Sequence, residues 1–124
     1  MVKTMVVLFG VLLTCYLGYR IYGYLKVGKD LESKIAKGAV VLDVRTAGEF
    51  SSGHIAGSIN ISLGTIRDRY IELDREKTYI TTCSHGLRSG KVEKILRELG
   101  FKHVYNGGAW VDLEKIVKQQ KDNR

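Results

Sequence analysis

The sequence predicts an α/β domain with a largely parallel central sheet, preceded by one apolar helix. Three observations carry that prediction. Residues 39–44 (AVVLDV) form a run that is apolar but for Asp43 and rich in β-branched side chains, as a strand covered on both faces does. Val92, Ile95, Leu96 and Leu99 recur at the i, i+3, i+4, i+7 spacing of a helix face, with Gly100 standing where a helix stops. Strand-like and helix-like segments alternate from residue 30 onward, the pattern of a sheet flanked by helices.

The first element is apolar. Met5 to Tyr19 contains no charged side chain, and counting Arg20 as snorkelling extends the stretch to Leu25. That is enough for a helix to cross a bilayer. Tyr16, Tyr19, Tyr22 and Tyr24 gather at one end, as an interfacial aromatic belt does. The segment is apolar all round, which disfavours a buried helix of the domain. The residues after Leu13 lack the small-residue pattern of a cleaved signal peptide, and Thr14 before Cys15 is a weak lipoprotein signal. Residues 1–27 are therefore read as an uncleaved transmembrane anchor, in contact with lipid through residues 5–25, and residues 28–124 as the domain. Arg20, Lys26, Lys29, Lys34 and Lys37 follow the apolar core, whereas only Lys3 and the amino terminus precede it. The positive-inside bias places the domain on the cytoplasmic side, with the periplasmic side left open because a short amino-terminal tail can also stay inside.

Residues 30–37 (DLESKIAK) suggest a short helix capped by Asp30 and ended by Gly38. After the strand at 39–44, residues 58–62 (SINIS) suggest a second, short strand. Leu63, Ile66, Tyr70 and Leu73 recur at helical spacing. Residues 78–82 (TYITT) form the next strand and lead directly into Cys83. Residues 102–105 (KHVY) suggest a further strand, Asn106-Gly107-Gly108 a tight turn, and Trp110, Leu113, Ile116 and Val117 a last helix.

The chain has 124 residues and a net charge of +7. Three of its basic residues (Lys3, Arg20 and Lys26) precede residue 28, which leaves the domain at about +4. The charges are interspersed, with no basic run and no interleaved aromatics, so no nucleic-acid partner is expected. The balance suits small anionic substrates and an anionic membrane surface. The two cysteines, Cys15 and Cys83, lie in different parts of the chain and predict no disulfide. No second thiol or paired histidine sits at ligand spacing, so no metal site is expected.

The chemistry concentrates in Cys83-Ser84-His85-Gly86-Leu87-Arg88-Ser89, between a buried strand and a helix start. Backbone N–H groups of such a turn form an anion-binding nest, the helix amino terminus adds partial positive charge, and Arg88 adds a full one. All three favour a Cys83 thiolate. Gly86 lets the loop curl.

This stretch resembles the active-site loop of single-domain rhodaneses: a cysteine, four residues, an arginine, then serine. Asp43-Val44-Arg45 and Glu49-Phe50 resemble the family's early D-V-R and E-F/Y signature. Residues 53–60 (GHIAGSIN) resemble its G-H-I-x-G-A/S-x-N element, and Gly107-Gly108 with Trp110 its G-G…W element. The resemblance covers residues 39 to about 115. It implies a three-layer α/β/α rhodanese-like domain and a thiosulfate sulfurtransferase activity. Cys83 is then the nucleophile, taking sulfane sulfur from thiosulfate or a persulfide and passing it to a thiol or cyanide. The intermediate is a covalent persulfide on Cys83, and no dissociable cofactor is required. Ser84, His85, Gly86, Leu87, Arg88 and Ser89 form the binding loop, with Arg88 either holding the anionic donor or bracing the loop. Asp43, Arg45 and His54 are supporting residues.

Three other readings stay open. One is a persulfide carrier serving a membrane partner, slow with free thiosulfate. Another is a regulatory module on the same fold. The last is a phosphatase or arsenate reductase, for which five residues rather than four are expected between cysteine and arginine. Neither the oligomeric state nor the physiological donor and acceptor is legible in the sequence.

Overall fold

The computed structural model describes residues 1–123. The chain divides into two compact units, Met1–Asp30 and the part from Leu31 onward. The first unit lies within one helix, α1 (Val2–Ala36), which is long and apolar enough to cross a membrane by length and composition. Two helices were expected here, with a break before Asp30; the structure has one. The residues between 25 and 30 include no proline, and Gly28 costs a helix only about 1 kcal/mol, so nothing stops propagation. Gly38, at φ 96°, follows the end of α1.

The second unit is built on four parallel strands: β1 (Val40–Asp43), β2 (Ile59–Asn60), β3 (Tyr79–Cys83) and β4 (Val104–Ala109). They lie in the order β2-β1-β3-β4. Side-chain alternation sends successive strand residues to opposite faces, and two cores result. Leu42, Val44, Tyr79 and Cys83 pack with Ile66 of α3 (Ile66–Arg69) and with Val92 and Leu96 of α4 (Leu87–Glu98). Val41 and Ile80 pack on the other face with Leu31 of α1, Ile55, and Leu113 of α5 (Trp110–Asp122). Leu42, Ile80, Leu96 and Leu113 are fully buried, each contributing about 1.5–3 kcal/mol of apolar burial. The result is the expected three-layer rhodanese-type arrangement, a parallel sheet between helices.

Three local differences from the sequence reading have physical causes. A five-residue helix, α2 (Ala47–Ser51), was not expected, because it is too short to show a period. Thr46 and Glu49 form a capping box that starts it. The helical spacing from Leu63 to Leu73 yields only α3 and a 3-10 turn at Tyr70–Glu72. Asn106-Gly107-Gly108 is not a tight turn but part of β4. Thr81 pairs with Asn106 and Cys83 with Ala109, so β4 carries one extra residue, a bulge.

Gly107 sits in that bulge where a side chain has no room. A Cβ there would lie 2.6 Å from Cγ2 of Ile80 and 3.0 Å from the carbonyl oxygen of Thr81. Gly107→Ala is therefore expected to destabilise the domain by about 1–3 kcal/mol, read as a lower urea midpoint in chemical denaturation.

Candidate active site

Cys83 is the last residue of β3 and is 1% exposed. The chain then doubles back, and α4 begins within four residues. Gly86 precedes α4 at φ 93°, a conformation costly for residues with a Cβ. That curl points the N–H of Gly86 at Cys83 Sγ, at 3.0 Å, and the N–H of Ser89 at the same sulfur, at 3.4 Å. The thiol in turn donates to Ser89 Oγ at 3.4 Å. Burial pushes the Cys83 thiol up, but hydrogen bonds from Ser89 and from the His85 and Gly86 backbone outweigh it, and the net direction is below the ordinary thiol value.

The residues that hold this curl come from two strands, β3 and β4. Thr81 Oγ1 donates to the Ser89 carbonyl at 2.9 Å, and Thr82 Oγ1 to the Gly108 carbonyl at 2.8 Å. Asn106 is the hub. Its Oδ1 accepts from Ser89 Oγ at 2.7 Å and from the Gly108 N–H at 2.9 Å, while its Nδ2 donates to the Gly86 carbonyl at 3.1 Å. Neither threonine nor Asn106 was singled out from the sequence. Apart from the Gly108 N–H on Asn106, their partners lie eight to 26 residues away, beyond any local pattern.

Arg88 is held by Glu49 and Ser84. Its Nη1 and Nη2 donate to the two carboxylate oxygens of Glu49, at 2.7 and 3.0 Å, and Nη2 also donates to Ser84 Oγ at 3.2 Å. Ser84 Oγ donates to Glu49 Oε2 at 3.2 Å. The Arg88 guanidinium, and then the Thr46 N–H, hold the Glu49 carboxyl well below the usual carboxylate range. Arg88 thus ties the loop to α2. In the sequence Glu49 stands out only as part of a short signature, and its pairing across 39 residues leaves no local pattern there. His85 is exposed and Leu87 is 79% exposed, both at the loop surface.

The supporting residues lie behind the loop. Asp43 and Arg45 are both buried, and Arg45 Nη2 meets Asp43 Oδ2 at 2.7 Å. Arg45 Nε adds contacts of 3.0 and 3.1 Å to the same carboxylate. The guanidinium also donates to the Gly53 carbonyl at 2.7 Å and lies 4.7 Å from the Trp110 ring. Asn60 Nδ2 donates to the Asp43 and Arg45 carbonyls. The D-V-R and G-H…N elements are therefore one polar knot that fixes the end of β1. His54 is exposed; its Nδ1 lies 2.8 Å from the Phe50 carbonyl oxygen, and its ring stacks on Phe50 at 3.7 Å. No contact joins it to Cys83 among the described residues. A concavity of about 390 Å³ lined by Lys34, Lys37, Lys77 and Thr78 opens at the amino ends of β1 and β3, away from this chemistry.

A buried parallel sheet, a cysteine at the carboxyl end of a strand and a curled loop of N–H donors define a rhodanese-type domain. The chain belongs to the rhodanese-like domain family, which matches residues 28–110. It is 32% identical over 97 residues to a tRNA sulfurtransferase of Thermoplasma acidophilum, covering 78% of this chain and 19% of that protein. It is 34% identical over 74 residues to the thiosulfate sulfurtransferase PspE of Escherichia coli, covering 58% of this chain and 71% of that one. It spans about half (54%) of the Bacillus subtilis protein YqhL, to which it is 37% identical over 68 residues. Among solved structures it is similar to a rhodanese-related protein from Thermoplasma volcanium, at 38% identity and a TM-score of 0.60, covering 68% of this chain and 87% of that one. It is also similar to an E. coli rhodanese solved with anions, at 32% identity and a TM-score of 0.57, covering 60% of this chain and 91% of that one.

The Ser89 hydroxyl lies 3.4 Å from the sulfur, and its contact favours the thiolate. Ser89→Ala removes that contact, so the thiolate is less favoured and its protonation midpoint rises. The check is the pH dependence of Cys83 alkylation by iodoacetamide in a Cys15→Ser background; coincident midpoints contradict it.

Proposed function

We propose that this protein is a sulfurtransferase that carries sulfane sulfur as a persulfide on Cys83. The observation that carries the reading is the pair of backbone N–H groups, of Gly86 and Ser89, converging on Cys83 Sγ at the end of a buried strand. The mechanism has two steps. The thiolate attacks the outer sulfur of a donor, thiosulfate or a persulfide, and sulfite or a thiolate leaves. The outer sulfur then occupies the loop, where backbone N–H groups stabilise its negative charge. An acceptor thiolate, or cyanide, attacks that outer sulfur and regenerates Cys83. Each step exchanges one bond to sulfur for another and needs no cofactor.

The phosphatase alternative is disfavoured by two observations. Only four residues separate Cys83 from Arg88. The Arg88 guanidinium is also held by Glu49 rather than left free over the loop. We further propose that residues 1–27 anchor the protein in a membrane with the remainder on the cytoplasmic side. The length and composition of α1 and the charges after Tyr19 support this.

Cys83→Ser is expected to lose thiocyanate formation from thiosulfate and cyanide by at least about 10³-fold, since a hydroxyl does not ionise to a sulfur nucleophile at neutral pH. The fold should be retained, read as an unchanged circular dichroism spectrum. A folded Cys83→Ser protein that still makes thiocyanate at the wild-type rate contradicts the mechanism.

A further inference from the structure

The Ser89 hydroxyl has one proton and two neighbours that can take it. Its Oγ lies 3.4 Å from Cys83 Sγ and 2.7 Å from Asn106 Oδ1. Two backbone groups fix the orientation of the Asn106 amide. The Gly108 N–H can only donate, and it meets Oδ1 at 2.9 Å. The Gly86 carbonyl can only accept, and Nδ2 donates to it at 3.1 Å. The atom that faces Ser89 is therefore an acceptor, and the hydroxyl proton lies on the Asn106 side while Cys83 is a thiol. The thiol completes the chain by donating to Oγ. A thiolate cannot donate, and the hydroxyl can serve it only if that proton leaves Asn106. Ser89 is fully buried and Cys83 is 1% exposed, so water does not substitute for the hydroxyl there. Asn106 Oδ1 keeps the Gly108 N–H when the proton turns away, so neither position leaves that acceptor bare.

We infer that Asn106 is a positioning residue that holds the Ser89 hydroxyl proton and releases it to Cys83 Sγ only when that sulfur carries negative charge. The inference rests on the sulfurtransferase reading for its place in the reaction, and goes beyond it in naming how the leaving sulfur is stabilised. In the persulfide, Sγ is bonded to Cβ and to the outer sulfur, and the charge sits on the outer sulfur. The hydroxyl proton then stays with Asn106. When cyanide discharges the persulfide, its carbon lone pair forms a C–S bond to the outer sulfur. The S–S bond breaks, and its electron pair passes to Sγ. The products are thiocyanate and the Cys83 thiolate, with no proton, oxidant or reductant consumed. Charge appears on Sγ in that step, and the hydroxyl turns to meet it. An interaction made only as the charge develops lowers the barrier rather than binding the persulfide more tightly. Asn106 thus has two opposed effects: it holds the loop, and it competes with the sulfur for one proton.

The competition has a sign that a purely structural role lacks. Cys83 alkylation by iodoacetamide is followed against pH on the full-length protein in detergent micelles, in a Cys15→Ser background. Wild-type Asn106, Asn106→Ala and Asn106→Asp are each compared with Ser89 present and with Ser89→Ala. The charged groups around the sulfur are Arg88 with Glu49, the buried Asp43–Arg45 pair, and His85 in the loop. All are common to every protein in the set, so their effect cancels in the double-mutant comparison. Asn106→Ala removes the rival acceptor, so the part of its effect that depends on Ser89 is a lower midpoint. Asn106→Asp is a stronger rival, so that part is a higher midpoint. A loop merely loosened by the loss of Asn106 gives up the Ser89 contact in both variants and raises both midpoints. No coupling, or coupling of the same sign in both, overturns the inference. A second readout needs no Asn106 variant and holds even if those proteins fail to fold. The side-chain carbonyl carbon of Asn106, read by NMR in the labelled wild type, loses one of its two donors as Cys83 ionises. Its resonance is expected to move upfield at the alkylation midpoint, and to stay in place in Ser89→Ala. A resonance that is flat through that titration, or that moves equally without Ser89, overturns the inference. Ser89→Ala is also expected to slow persulfide discharge by cyanide about tenfold, the equivalent of one hydrogen bond to a charged group. An unchanged discharge rate overturns the release of the proton in that step. If no donor places sulfur on Cys83, the sulfurtransferase reading falls, while alkylation and NMR still decide whether the proton moves.

Discussion

The N–H groups of Gly86 and Ser89 reach Cys83 Sγ only because residues 83–89 double back over the end of β3. That curl is the constraint on which the rest of the site depends. A buried thiolate without donors is strongly disfavoured, and burial by itself raises the Cys83 thiol. The curl replaces the lost water with fixed backbone dipoles. It demands a positive φ at Gly86, and a Cβ there would also press on Gly108, 3.3 Å away. Two glycines from different elements meet for one reason, the closeness of the loop to β4.

Each surrounding interaction holds that curl in place. Asn106 grips the Gly86 carbonyl, the Ser89 hydroxyl and the Gly108 N–H at once. The bulge in β4 brings Asn106 opposite Thr81 and Ala109 opposite Cys83. On the other side, Glu49 holds Ser84 and Arg88 from α2. Arg45 holds α2 and the turn after it by donating to the Glu49 and Gly53 carbonyls. The buried Asp43–Arg45 pair is best understood as positioning rather than as a source of stability, since burying such a pair roughly breaks even. It sets where α2 lies, and α2 sets where Glu49 meets the loop.

Much of the fold was legible because it is local. The apolar run before Asp43, the helical spacing from Val92 to Leu99 and the strand leading into Cys83 each follow from a period or a run of residue types. The loop was legible from the spacing of Cys83, Gly86 and Arg88. What the sequence hid was pairing at a distance. Asn106 beside two glycines has the composition of a turn, and only its strand neighbours make it a hub. Glu49 has the look of a capping residue, which it is, but its second role depends on a loop 35 to 39 residues away. The expected break before Asp30 failed for the opposite reason: a plausible cap residue does not interrupt a helix that contains no stop signal.

The central claim is that Cys83 holds transferable sulfur. Mass spectrometry of the full-length protein after incubation with thiosulfate or cysteine persulfide tests it most directly. The account predicts one added sulfur on the peptide that contains Cys83, removed by dithiothreitol, with Cys15 unchanged. A Cys83 peptide that stays unmodified with both donors, in a protein shown to be folded, would contradict it.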